Sequence, residues 1–115
     1  MRLSVLLRAV PTEDGGRRNA ILDGYRPTWR SDLKPEHNDA SVVLTAADGR
    51  IPPGDEARSV LLPHRPDFWV DRVHVGDVLR GHEGERVVAE AVVLQVEVSP
   101  DGAQAWWTGG ERPAE

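Results

Sequence analysis

Arg2-Leu3-Ser4-Val5-Leu6-Leu7-Arg8-Ala9-Val10 decides the fold class. Leu3, Val5, Leu7 and Ala9 share one parity, while Arg2, Ser4 and Arg8 take the other. A period of two puts the first set on the core face of a strand and the second toward solvent. Pro11 has no N–H to give a ladder, so the strand stops there. The same chemistry recurs along the chain. Valine occurs fifteen times and leucine ten, while 11 glycines and 9 prolines interrupt the apolar runs before any helical stripe can develop. The chain therefore reads as all-β.

Working outward, Tyr25 to Ser31 is a short strand with Tyr25 and Trp29 on one parity, and Pro27 confines it to an edge or a bulge. Ala40 to Ala47 and Ala57 to Leu62 are further strands. Asp77 to Arg80 and Arg86 to Val98 form a hairpin about Gly81-His82-Glu83-Gly84, its second arm long and valine-rich. Asp48-Gly49, Pro52-Pro53-Gly54-Asp55 and Pro100-Asp101-Gly102 are turns, in which proline presets φ and glycine supplies φ > 0. Thr12 to Leu22 is a long loop, and Pro63 to Val75 shows no convincing period. Strands at this spacing predict a small closed barrel or a sandwich, and closure removes the edges that so many valines would expose.

The chain has 115 residues, room for one ordinary core without staples. Cysteine is absent, which excludes catalytic thiols, disulfides and Cys-ligated metals, and fits a reducing cytoplasm. No apolar run reaches the roughly 18 to 20 residues of a membrane span, and no signal-type apolar segment follows Met1. A soluble cytoplasmic protein is expected. The formal net charge is −5, which disfavours general coating of nucleic acid. The distribution is uneven. Arg17, Arg18, Arg26, Arg30 and Lys34 face only Asp23 and Asp32 in their segment, whereas from Ser59 onward five basic residues meet ten acidic ones.

Glu13-Asp14-Gly15-Gly16-Arg17, Gly24-Tyr25-Arg26-Pro27-Thr28-Trp29, Pro53-Gly54-Asp55 and Glu83-Gly84-Glu85-Arg86-Val87-Val88-Ala89 occur in that order. This ordered set, over about Leu3 to Val98, resembles the C-terminal β-barrel of elongation factor Tu and its relatives. In that family the landmarks are Glu-Gly-Gly-Arg, Tyr-Arg-Pro-Gln-Phe, Pro-Gly-Asp and Gly-Gly-Arg-Thr-Val-Gly-Ala-Gly. The resemblance implies a six-stranded antiparallel closed barrel over residues 1–98, followed by a C-terminal extension, hairpin or tail over 99–115. It also implies a surface that packs against neighbouring domains or helps hold the T-stem of aminoacyl-tRNA. Thr28 stands where the family has the contacting glutamine, and Ala20, Glu85, Ala89 and Ala91 replace a proline and three glycines.

No phosphate-cradling Gly-x-x-x-x-Gly-Lys-Ser/Thr loop is present, so the family's GTPase chemistry is not encoded here. His37, His64, His74 and His82 form no zinc-type pair, Asp71-x-x-His74-x-x-Asp77 lacks helical convergence, and no serine sits in a nucleophile elbow. His82-Glu83 reads as a turn pair. No catalytic site, metal or cofactor is expected.

The binding candidates are Arg17, Arg18, Tyr25, Arg26, Thr28 and Arg30 on the early basic segment, with Trp106 and Trp107 near the end. Arginine offers planar, bidentate contacts to carboxylate or phosphate. The alternative for Arg17, Tyr25 and Arg26 is an internal tether that fixes the long loop by an Arg–carboxylate pair, with Tyr25 packing. Phe68 and Trp69 are either a contact patch or core plugs, and Trp106-Trp107 either an interface anchor or a lid on the barrel end. The sequence predicts a non-enzymatic binding module for a protein partner, translation-related by resemblance. The second reading is weak binding of structured RNA or tRNA through residues 17–34.

Overall fold

The structure, a computed structural model, describes residues 1–31, 38–45 and 49–98. It is all-β, with no α-helix among those residues. The strands are β1 (Arg2–Ala9), β2 (Ile21–Leu22), β3 (Thr28–Arg30), β4 (Ala40–Leu44), β5 (Arg50–Ile51), β6 (Glu56–Pro63), β7 (Val78–Glu83) and β8 (Arg86–Glu97). Six of them form one antiparallel sheet in the order β3-β7-β8-β1-β6-β4, and β2 and β5 make a separate two-stranded ribbon. The strand at the chain start is thus central, flanked by β6 with Leu3 opposite Leu61 and by β8 with Leu7 opposite Ala91.

The alternation in β1 is realised as read. Leu3, Val5 and Leu7 are fully buried, and their parity partners are half-exposed. They pack with Val42 of β4, Leu61 of β6, Leu79 of β7 and Ala91 and Val93 of β8. Ile21 and Ile51, paired across the β2–β5 ribbon, add to the same core. Trp29 and Trp69 are its largest buried side chains, which settles Trp69 as a core plug; Phe68 lies half-buried beside it.

β8 departs twice from strict alternation. One register shift lies opposite Gly81/His82 and leaves Val88 and Ala89 both buried; the other lies opposite Ser4/Val5, where Leu94 is the extra residue. Such bulges bend a strand and raise its twist, and they let twelve residues serve two neighbours of a curled sheet.

The expected closed barrel is instead a curled half-barrel. Its edge strands β3 and β4 approach each other without a continuous ladder. The seam holds one bridge, Thr28 to Asp39, and the backbone bonds Gly24 N to Val42 O (2.7 Å), Val42 N to Tyr25 O (2.8 Å) and Trp29 N to Asn38 O (3.2 Å). Two causes shorten β3 from the expected Tyr25–Ser31 to three residues. Pro27 has no N–H to donate, and Gly24, at φ 88°, turns the chain out of extended conformation. Side chains bolt what the backbone leaves open: Trp29 Nε1–H donates to Ala40 O at 3.3 Å, and the buried Asn38 amide donates to Trp29 O.

Other boundaries also move. The β7–β8 turn is Gly84-Glu85, not the four residues from Gly81, because β7 continues through His82 to Glu83. Gly81 stays in the strand because it lies against Trp29, where an added Cβ would sit 3.2 Å from the indole. The loop after Pro11 contains a short 3₁₀ turn (Thr12–Asp14) and β2, and the unassigned stretch after Pro63 contains another 3₁₀ turn (Pro66–Phe68). Ala46 and Ala47, the expected end of β4, and the extension 99–115 lie outside the described residues.

Candidate functional site

The basic segment meets the end of β7 in a charged node. Glu83, the last residue of β7, accepts the Tyr25 hydroxyl proton bond on Oε2, Arg17 Nε at 3.3 Å on the same oxygen, and an Arg86 N–H at 3.1 Å on Oε1. Arg17 also stacks over the Tyr25 ring, 4.4 Å from its centroid, and reaches Ala20 O at 3.4 Å. Gly16 permits this path: its N–H donates to Pro11 O, and a Cβ there would lie 1.9 Å from Val10 O. The loop thus doubles back tightly and delivers Arg17 to β7.

The electrostatics follow from this geometry. The Tyr25 hydrogen bond, aided by Arg86 and Arg17, holds the Glu83 carboxyl below its ordinary value against the opposing effect of burial. Burial, the hydrogen bond and the Glu83 charge push the Tyr25 phenol far above its usual range. Tyr25 is therefore a neutral donor clamped to an ionised acceptor. Arg17 and Tyr25, both half-buried, tie the loop to the end of β7. Glu83, taken from sequence as half of a turn pair, is the residue that sequence reasoning missed. Two arginines and a tyrosine, Arg17, Arg86 and Tyr25, all in want of one carboxylate, were the available signal.

The other candidates are displayed around this node. Arg18 and Arg26 are exposed and have no carboxylate partner among the described residues. Arg30 is exposed and lies 3.6 Å from Glu85 Oε1. Thr28 is half-buried. The β3–β7 register sets Thr28 opposite His82 and Arg30 opposite Arg80, so that two arginines face each other across the sheet. Like charges placed so are destabilising in themselves. His82 Nδ1 is shielded from solvent, and no polar atom of the described residues bonds it. Burial and Arg30 lower the His82 pKa. Trp106 and Trp107 lie outside the described residues.

A second polar group spans the seam. Ser41 Oγ lies 2.6 Å from His64 Nε2, and Arg26 lies 3.4 Å from His64 Nδ1. A serine–histidine contact invites comparison with a nucleophile and its base. A guanidinium only donates, so while Arg26 holds Nδ1 that nitrogen presents its lone pair and the ring proton lies on Nε2, toward Ser41. That tautomer donates to the serine and takes no proton from it.

His74 and Asp77 pair locally, with Asp77 Oδ2 accepting His74 N–H at 2.8 Å, and among the described residues no three His, Asp or Glu side chains gather as a metal site. An open apolar groove of about 420 Å3 runs between residues 70–75 and the end of β8, lined by Val70, Val73, Val75, Leu94 and Val96. Among the described residues no helix is long and apolar enough to cross a membrane. In comparisons with known proteins, neither a protein-family model nor a curated protein matches this chain.

Proposed function

We propose that the protein is a non-enzymatic binding module of the translation-factor C-terminal barrel type, acting in the cytoplasm, that recognises a protein partner bearing acidic groups. The observation that supports this reading is the division of labour among the arginines. Glu83 takes up Arg17 and Arg86 and locks the loop. Arg18, Arg26 and Arg30 stand exposed on that fixed rim, two of them without an internal carboxylate among the described residues. A rim held in place before binding loses little conformational freedom on association, so its guanidinium forks are ready for a carboxylate. The acidic balance of the whole chain favours a protein partner over a polyanion.

The test is partner capture by the chain and by Arg18→Ala/Arg26→Ala/Arg30→Ala, with thermal unfolding run alongside. Capture lost with a midpoint shifted by no more than a few degrees supports the reading. Undiminished capture by the folded variant refutes it.

A second reading, weak binding of structured RNA, draws on the facing pair Arg30–Arg80, exposed beside Thr28 and His82 on the β3–β7 register. Each arginine lies 3.6 Å from a glutamate, Arg30 from Glu85 and Arg80 from Glu90, and a phosphate would share their guanidinium groups with these. A tRNA titration at low salt should then shift the amide signals of Thr28, Arg30, Arg80 and His82 and weaken steeply as salt is added. No shift removes this reading.

A further inference from the structure

Arg26, His64 and Ser41 come from three parts of the chain, and the sheet register brings them together. β4 pairs with β6 so that Ser41 faces Leu62 and Ala40 faces Pro63, which sets His64, the next residue, beside Ser41. The His64 N–H donates to Asp39 O at 3.0 Å and fixes the backbone there. The ring is then held at both nitrogens, by Ser41 Oγ at 2.6 Å and by Arg26 at 3.4 Å. Arg26 arrives from the segment that crosses the seam, one residue after Tyr25 is clamped to Glu83.

The two contacts on the ring are unequal. The bond to Ser41 is short; the approach of Arg26 is long for N–H···N, and at the surface it is easily displaced. Arg26 differs from Arg17, Arg30 and Arg86, each of which lies within 3.6 Å of a glutamate. Its fork has no carboxylate among the described residues and points at an imidazole that must stay neutral to accept it. Among the described residues, the charged groups that act on His64 are Arg26 from the seam segment and Asp39 from the turn into β4, with Arg65 next along the chain stacked 5.4 Å from the Phe68 ring centroid. Burial and Arg26 hold the His64 pKa below its ordinary value, with Asp39 opposing.

Resting on the protein-partner reading above, we infer that the partner's contact at this point is a side-chain carboxylate that inserts between Arg26 and His64 Nδ1. Arg26 turns its fork from the imidazole to the carboxylate, forming charge-assisted bonds in place of the weak one. Nδ1 then lies beside an anion, takes one proton from solvent and donates it as a hydrogen bond to the carboxylate. The proton on Nε2 stays with Ser41, which keeps the ring in place. One proton is taken up for each carboxylate bound. Affinity therefore rises as pH falls through the histidine range and falls again only where the carboxylate itself is protonated, below about pH 4.

The experiment follows the His64 ring by NMR in the whole chain, titrated with a tetra-aspartate peptide and separately with a tetra-uridylate RNA at low salt. His74, in the turn before β7, serves as the internal reference. Saturating peptide should raise the His64 pKa by about one unit, and apparent affinity should increase several-fold between about pH 7 and pH 5.5. Arg26→Gln should lose both effects; His64→Gln should bind the peptide with no such pH dependence. An unmoved His64 titration at saturating peptide, or an equal shift in Arg26→Gln, would overturn the inference. A response to the RNA and none to the peptide would overturn the carboxylate assignment. A partner captured through Arg18 and Arg30 with indifference to Arg26→Gln and to pH would remove this inference and leave the partner reading standing. Failure of all partner capture alongside an intact peptide response would do the reverse.

Discussion

Replacing Tyr25 by Phe and Glu83 by Gln, singly and together, measures how firmly the loop is tied to the sheet. A hydrogen bond to an ionised acceptor contributes about 1.5–3 kcal/mol net, and a third of the Glu83 side chain is exposed, which brings this one to about 1–1.5 kcal/mol. Tyr25→Phe should cost that much. Glu83→Gln loses in addition the ionic part of the contacts to Arg17 and Arg86, each partly exposed and worth about 0.2–1 kcal/mol, for a total near 2 kcal/mol. For a domain of this size 1 kcal/mol is about 4 °C in melting temperature, so Glu83→Gln should melt about 8 °C lower. Urea unfolding of the four proteins should return a coupling energy of about 1 kcal/mol between the two sites. The pH dependence adds a second check. Because the folded-state pKa of Glu83 lies below its unfolded value of 4.5, its contribution is complete above that value and is lost as pH falls through the folded one. The gap between wild type and Glu83→Gln should therefore narrow progressively as pH falls below 4.5. A coupling energy near zero, or a gap that persists undiminished at low pH, would refute the account of the node.

Three further outcomes are expected. Tyr25 is the sole tyrosine, so ultraviolet titration should show no tyrosinate as pH passes 10 in the folded protein; stability should decline from there, since only the unfolded phenol ionises, and a normal folded-state titration would contradict the clamp. Gly81→Ala places a methyl 3.1 Å from Pro27 Cγ and 3.2 Å from the buried Trp29 ring, and should cost about 1–3 kcal/mol in urea unfolding with a change in tryptophan fluorescence; a neutral result would mean that Trp29 yields freely. Leu61→Ala removes a fully buried side chain between Leu3 and Val42 and should cost about 3 kcal/mol, a large share of the stability of an ordinary domain, as read from the denaturation midpoint.

What was legible in the sequence was what has a local cause. The parity of Leu3, Val5 and Leu7 states which face is buried wherever the strand sits, and Pro52-Pro53-Gly54-Asp55 turns the chain by its own dihedral preferences. What was not legible depends on partners far along the chain. The reach of β7 through His82 is set by pairing with Val87, and the seam beside β3 by backbone bonds from Gly24, Tyr25 and Trp29 to residues 9 to 18 positions further on. Ile21 and Ile51 are each too isolated to announce a strand until they pair. The site shows the same division. Arginine-rich motifs drew attention to residues 17–34, but which arginines pair with a carboxylate depended on Glu83, and the joining of Ser41, His64 and Arg26 depended on the β4–β6 register. Two bulges in β8 broke the alternation that would have predicted its burial.

The central place of β1 has a consequence for how the chain is made. Its neighbours are β6 and β8, the first of which begins 47 residues after β1 ends, so neither side of β1 can pair early in synthesis. At about 5–20 residues per second, β1 waits roughly 2–9 s for the start of its first neighbour. During that time Leu3, Val5 and Leu7 form an unpaired apolar strand, and the last wall of the core arrives only with β8. Such non-local pairing makes for slow folding and gives a nascent chain time to meet others like it. Arg2 and Arg8, which bracket the apolar row and later pair with Glu97 and Glu90, put like charges on every copy at the stage when edge-to-edge association is most available.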